Sequence, residues 1–432
     1  MRKSKVEVIK SIVLSILVIL SIYLYYKVYF DYNVEDIVKA IDIYQNSQSD
    51  QQLLKKAREI LASPKEMYLN ISKNVVVRIL SNQSQYSQVV SKFIEGIEKS
   101  LVKKEFEISQ KNISANFFKQ RRVLILSYGY EIDFITFVYE LTKRNIGNLV
   151  QGFKFDRIFI EENGKGTVLY FFNSQEQRAA ILRFSPFGFL PLENLIEKDL
   201  KLVYSWSDSL GFTEIANKDI LIPVEFSDVQ FSEIKTRESS YKKELIVRRL
   251  FPDTILTRKN ILKNGDVVIT DERRTLKLKN DGGFVFEYSE SAFGEKVDSI
   301  SDALMFYLKT FYAEEDLRVC RLEFKKEDDF EIYLMTRANG IDVVAGDGEF
   351  CAKIEVQGGR LQEISGDLFD ILKVRTSQIK VDGIAAIDAI KERKGDIFIE
   401  EIDLEYISGG ASSYPYWKIK TQSGIVYVET IK

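Results

Sequence analysis

The chain has 432 residues, 45% of them hydrophobic and 29% charged, with a formal net charge of −3 and no histidine. That composition belongs to folded domains and not to a disordered tail. The acidic balance argues against nucleic acid as a partner, and the missing imidazole removes Ser-His-Asp and Cys-His catalysis, His-ligated zinc and His phosphorelay.

In chain order, the first feature is an uncharged run from Ser11 to Tyr26, between a basic tail (Arg2, Lys3, Lys5, Lys10) and Lys27. A helix from Lys10 to Lys27 covers about 25 Å, close to the hydrocarbon core of a bilayer. Tyr23, Tyr25, Tyr26 and Tyr29 sit where an interfacial aromatic belt would lie. A signal peptide would continue into small residues at a cleavage site, whereas Lys27-Val28-Tyr29-Phe30-Asp31 follows here. The pattern predicts a cytoplasmic tail over 1–10, an uncleaved single-pass transmembrane anchor over 11–30, and the bulk of the chain outside the cytoplasm. Lipid does not drive helices together by hydrophobicity, so pairing needs close approach or hydrogen bonds. Ser11, Ser15, Val18 and Ile22 fall on one stripe of the anchor and form its candidate contact face.

Residues 31–63 read as a juxtamembrane helical stalk, with a weak loop at Gln45–Gln52 and a stop at Pro64. An N-terminal α+β domain is expected over 64–196. Its strands are Asn74–Leu80 and Arg121–Ser127, its helices Gln85–Val102 and Asp133–Lys143, and Arg157–Glu161 pairs with Thr167–Phe172 in a hairpin. A middle α+β domain over 197–292 holds extended Val203–Trp206 and Ile220–Phe226, a helix Ser239–Phe251, and a meander of Val267–Thr270, Thr275–Lys279 and Phe284–Tyr288.

The C-terminal α+β domain, 293–432, twice sets a helix before a meander. Ser299–Tyr312, capped by Asp298 or Ser299, precedes Leu317–Phe324, Phe330–Thr336, Val343–Ala345 and Phe350–Val356. A second helix capped by Asp382 and stopped at Gly395 precedes Ile397–Ile407, Tyr416–Thr421 and Ile425–Ile431. The fold class expected is α+β, with antiparallel sheets and helices packed on one face. Cys320 alternates with Leu322 and Phe324 and should face inward, while Cys351 shares a face with Lys353 and Glu355 and should face outward. Two free thiols are expected. Asp342, Asp347 and Glu349 lack the spacing of a calcium loop and read as a hairpin turn.

Several stretches resemble the YycH family. Arg249–Asp253, with Leu250, Phe251 and Asp253, resembles its L-F-x-D segment. Asp266–Leu276 resembles its strand–turn–strand with a T-D pair, here Thr270-Asp271. Asn339-Gly340 resembles a recurrent turn, and Tyr406 with Pro415-Tyr416-Trp417 resembles pieces of the last sheet that the companion protein YycI also carries, making 293–432 YycI-like. The resemblance implies a membrane-anchored extracytoplasmic regulator of a WalK/YycG-type sensor histidine kinase that controls cell-wall metabolism in low-GC Gram-positive bacteria. It implies action through protein–protein and transmembrane-helix contacts with the kinase and a YycI-like companion, and neither catalysis nor a cofactor.

The same residues also have local structural readings. Leu250 and Phe251 end a helix and plug a core, Thr270-Asp271 opens a β-turn, and Trp417 alternates inward with Ile419 and Thr421. The alternatives to a regulator are a membrane-anchored cell-wall-binding module and a carboxylate-dependent wall hydrolase. The hydrolase needs two acids converging in a cleft, and no stretch of sequence marks such a pair.

Overall fold

The computed structural model describes Leu14, Leu17, Val18, Leu20 and Ser21 and, from Asp50 to Thr430, every residue except 73, 104–105, 147–149, 164–165, 185–201, 218, 227–229, 254–255, 312–315, 327, 346–350, 379–382, 396 and 409–412. The chain divides into two compact units, Met1–Leu53 and Leu54–Lys432. In the first, Leu14, Leu17, Val18, Leu20 and Ser21 are helical and exposed. Val18 belongs to the expected contact stripe; Ser11, Ser15 and Ile22 lie outside the described residues, as does most of the expected anchor. Among the described residues no helix is long and apolar enough to cross a membrane.

Helix α1 (Asp50–Ala62) carries the chain into the second unit and stops before Pro64, which disfavours helical backbone at the residue ahead of it. Nine strands then build an antiparallel sheet. They are β1 (Glu66–Ser72), β2 (Val75–Ile79), β3 (Phe106–Asn112), β4 (Val123–Asp133), β5 (Lys154–Asn163), β6 (Gly166–Asn173), β7 (Arg178–Phe184), β8 (Leu202–Trp206) and β9 (Leu221–Phe226). Their order is β3-β7-β6-β5-β4-β1-β2-β8-β9.

Every residue of β6 is buried, because both faces of this sheet are covered. Phe171 and Phe172 show how, since neighbours on a strand point to opposite faces. Phe171 meets Phe134 and Phe137 of α4 (Phe134–Thr142), and Phe137 in turn meets Phe93 of α2 (Ser84–Lys103). Phe172 meets Phe118 of the short α3 (Asn116–Lys119), whose ring stacks on Phe159 at 3.7 Å. Helix α2 earns its buried face from Tyr86, Val90, Phe93, Ile97 and Leu101, the spacing visible in sequence. Asp133 caps α4 by accepting from Thr136 N–H.

A two-stranded ribbon, β10 (Gln230–Glu238) with β20 (Phe369–Gln378), and helix α5 (Ser240–Leu250) connect to a second sheet. It comprises β11 (Arg258–Ile261), β12 (Val267–Thr270), β13 (Arg274–Leu278), β14 (Gly283–Tyr288), β15 (Asp316–Lys326), β16 (Asp329–Ala338), β17 (Ile341–Ala345), β18 (Ala352–Gln357), β19 (Arg360–Asp367), β21 (Ile399–Ser408), β22 (Tyr416–Thr421) and β23 (Gly424–Glu429). Helix α6 (Ile300–Phe311) precedes β15, and α7 (Gly383–Lys394) precedes β21, so the helix-then-meander order occurs twice as expected. The two repeats join through β17 and β21, which pair in parallel, Asp342 opposite Glu405. The sheet is therefore mixed, where a purely antiparallel one was expected.

The residues expected to form a middle unit, 197–292, supply β8 and β9 to the first sheet and β11–β14 to the second. One hydrophobic core runs between the two sheets. It takes Tyr68, Ile125, Phe159 and Tyr204 from the first and Ile341, Leu404, Tyr406 and Trp417 from the second, with Ile387 and Ile390 of α7.

The two cysteines are free thiols, both half-buried. Cys351 precedes β18, where Lys353 and Glu355 share one side and Ala352, Ile354 and Val356 are buried on the other. The alternation expected beyond Cys320 is lost. A β-bulge between Val319 and Arg321 breaks the alternation that would have turned Leu322 and Phe324 inward with it, and Phe324 is exposed. Asp342 is no turn residue either: it lies within β17, paired with Arg318 of β15 by two hydrogen bonds, both side chains buried.

Candidate functional site

Where the two sheets meet, strand geometry gathers buried charge. Lys65 stands just ahead of β1, Glu66 opens it, and Arg78 lies on the neighbouring β2, among Val76, Val77 and Ile79. Strand β21 brings Asp403 from the other sheet. Arg78 Nη1 donates to Asp403 Oδ1 at 2.8 Å and to the Tyr204 hydroxyl at 3.1 Å, and lies 3.5 Å from Glu66 Oε1. Lys65 Nζ lies 3.1 Å from Asp403 and pairs with Glu401. Beyond them Lys418 donates to Glu405 at 2.9 Å.

Charge is costly to bury unless balanced, and the cluster balances itself with a proton. Burial first, and then the facing Asp403 carboxylate, push the Glu66 carboxyl up to about 8, against the pull of Arg78 and Lys65. Burial works the same way on Asp403, but Lys65 and Arg78 overcome it and hold that carboxyl below its usual range. At neutral pH Glu66 carries the proton and Asp403 the charge.

Glu66 also lines a cavity of about 320 Å³. A β-bulge in β4 opens it: Ser127 pairs with Arg157 and Ile132 with Phe155, so four residues, 128–131, bow out opposite Asp156 alone. Gly129 takes φ +77°, and a Cβ there would come within 3.1 Å of the Lys65 side chain, so glycine suits both the turn and the close approach. Tyr130 and Glu131 from the bulge, Asp156 and Arg157 from β5, Trp206 from β8, Asp219, and Glu400 and Glu401 from β21 complete the wall. Asp403, 2% exposed, is sealed behind Glu66 and does not line it. Of the two carboxyls with divergent affinities for a proton, only Glu66 can reach a ligand. Among the described residues no group of three or more cysteine, aspartate or glutamate side chains could hold a metal ion.

None of the sequence-singled residues lines this cavity. The structure joins them in two other places. Leu250 and Phe251 are buried at the end of α5, and Arg274 lies over the Phe251 ring at 5.4 Å while its guanidinium donates to Asp271. Asp271 opens the β12–β13 turn as expected, accepting from the N–H groups of Arg273 and Arg274, and the Thr270 hydroxyl donates to the Asp271 and Arg274 carbonyls. Asp253 is exposed nearby, its carbonyl accepting from Thr257.

The second place is the β16–β17 turn. Asn339 donates to the Tyr406 hydroxyl at 3.1 Å, and that hydroxyl donates to the Ser232 carbonyl of β10 at 2.9 Å. Gly340, at φ +80°, touches the turn that follows β2 so closely that a Cβ would lie 2.8 Å from Leu80 and Ser81. Pro415 and Trp417 are buried, with Ile419 and Thr421 on the same side as Trp417. Sequence reasoning missed Lys65, Glu66, Arg78 and Asp403. The available signal was a charge set inside an apolar strand, as in Val75-Val76-Val77-Arg78-Ile79 and Ile402-Asp403-Leu404.

The sequence matches no protein-family model and none of the curated proteins. In architecture the chain is similar to the crystal structure of YycH from Bacillus subtilis, with a TM-score of 0.57 and 14% sequence identity, over 86% of this chain and 96% of that one. The described part of the chain thus shares its overall fold with that protein.

Proposed function

We propose that the chain is a membrane-anchored extracytoplasmic regulator of a two-component sensor histidine kinase governing cell-wall metabolism, acting by contact and not by chemistry. The observation that supports this reading best is the likeness to YycH over 86% of the chain, together with motif residues resembling that family at its structural joints. In this reading residues 11–30 anchor the chain in the cell membrane with its N-terminus in the cytoplasm. The stripe of Ser11, Ser15, Val18 and Ile22 meets membrane helices of a WalK/YycG-type kinase and a YycI-like companion. A contact of this kind biases a signalling equilibrium only through unequal affinity for its two states, and a tenfold bias needs about 1.4 kcal/mol.

The test is co-purification of the full-length chain from membranes. A histidine kinase should elute with it. The double substitution Ser11→Leu and Ser15→Leu should reduce that recovery and change kinase output. Recovery and output both unchanged would remove the membrane-contact version of this reading.

A further inference from the structure

We propose that the arm Leu256–Gly265, built on β11, docks on the anionic surface of a lipid bilayer. The proposal goes beyond the kinase reading and takes from it only that a bilayer lies within reach.

Strand β11 ends the second sheet and, among the described strands, pairs with β12 alone. From Arg258 to Gly265 every residue is exposed, as is Leu256 before them. Arg258, Lys259 and Lys263 give this stretch three positive charges and it holds no acidic residue, in a chain whose net charge is −3. Among the described residues none of the three meets a carboxylate, whereas Lys277 on β13 is tied to Asp266 at 3.1 Å. Large apolar side chains stand among these cations: Leu256 is 66% exposed, Ile261 73% and Leu262 41%.

Basic residues alone would be an ordinary guard on a sheet edge. They do not account for a bare isoleucine and leucine beside the tip, since exposed apolar groups mark a surface that is covered by something else. A second copy is a poor occupant, because antiparallel pairing of two arms brings Arg258 and Lys259 close to their own counterparts. A strand from an acidic protein would cover the free edge, but Ile261 and Leu262 are neighbours at the end of a strand and point to opposite sides of it. The interfacial layer of an anionic bilayer covers both sides at once and meets each cation with phosphate. The tip suits that layer because its turn closes its own hydrogen bonds. Leu262 N–H donates to the Asp266 carbonyl at 2.8 Å, and Gly265 N–H to the Leu262 carbonyl at 3.0 Å.

The test uses the full chain carrying Cys320→Ser, Cys351→Ser and Asn260→Cys, labelled at position 260, an exposed site on β11, with the fluorophore NBD. Its emission moves to the blue when it leaves water. The chain is presented with vesicles of phosphatidylcholine alone or of phosphatidylcholine mixed with phosphatidylglycerol. A blue shift, and quenching by a lipid-borne doxyl group, are expected only with the mixed vesicles. Raising salt from about 0.1 to about 1 M shortens the screening length from about 10 to about 3 Å and should release the arm. Flotation of the chain with the phosphatidylcholine vesicles reports the anchor separately. Should the anchor fail, mixed vesicles added from outside still read the arm.

Replacing Arg258, Lys259 and Lys263 by Gln should lower the ratio of docked to free arm about fivefold per charge removed, with melting temperature unchanged. Ile261→Ser with Leu262→Ser should lower it about tenfold. No shift with the mixed vesicles, an equal shift with phosphatidylcholine alone, or an unchanged response in the Gln variant would overturn the proposal. A shift produced by soluble poly-glutamate and not by vesicles would overturn it too, and would assign the arm to an acidic protein.

Discussion

Glu66 holds a proton at a pH where an exposed glutamate would have lost it. Its carboxyl is raised by burial and by Asp403, so in the pH window from about 5 to about 8 the folded chain binds a proton that the unfolded chain does not. The stability this contributes is complete below the unfolded value and is lost as pH climbs through the folded one. Melting temperature should therefore decline on going from pH ~5.5 to ~9, and Glu66→Gln should flatten that decline, leaving the variant the more stable form at the alkaline end. A parallel decline in parent and variant would show that Glu66 is ionised throughout. Asp403 has the opposite sign. Held low by Lys65 and Arg78, it contributes stability above its unfolded range, which is lost in acid.

Elements are tied to each other by side chains aimed at backbone. Glu140 of α4 is buried, and its carboxylate accepts from the N–H groups of Ile300 and Ser301 at 2.9 and 3.1 Å and from the Ser301 hydroxyl at 2.6 Å. A carboxylate at the start of α6 meets the positive end of its dipole and satisfies donors that no helix can satisfy internally. Arg249 does the reverse at the other end of α6, donating to the Lys309 carbonyl. Glu140→Ala leaves the Ile300 and Ser301 N–H groups bare, while the Ser301 hydroxyl keeps the Glu140 carbonyl, and should cost on the order of 1.5–3 kcal/mol, seen as a lower denaturant midpoint with an unchanged slope.

Such ties explain what was legible from sequence. Helices α2, α4, α5 and α6 and strands β12–β14 follow from periodicity and caps, which are local. Strands β1, β3, β10, β19 and β20 were passed over because their alternation is diluted by Asn, Gln, Lys, Glu and Asp side chains, some of which find partners only across the fold, and β7 because Ala179-Ala180-Ile181-Leu182 is apolar without alternation. Asn70 is one, buried and donating to the Phe118, Lys119 and Arg121 carbonyls. The cavity was invisible for the same reason. Tyr128-Gly129-Tyr130 reads as a strand end until β5 is placed beside it, and Glu66 reads as a solvated acid until Asp403 arrives.

At the scale of the whole second unit, the sheets share one core, and its aromatic anchors come from both. Burying a single Phe- or Leu-sized side chain is worth about 1.5–3 kcal/mol, so neither sheet can open without exposing much of what holds the other. Trp206 reports on the first sheet and Trp417 on the second. Single-tryptophan variants should therefore unfold in coincident transitions, whereas two separated midpoints would mean that the sheets are independent folding units.

The hydrogen bond from Arg78 to Asp403 spans 325 residues of chain. A ribosome adding about 5–20 residues per second needs roughly 15–65 s to deliver the aspartate after the arginine has been made. During that interval the early strands can align, with Glu66 beside the guanidinium, but the 2.8 Å bond to Asp403 is not yet made. Completion of the nascent protein thus waits on its own tail, and a chain cut short before β21 is left with an open seam for quality control to find.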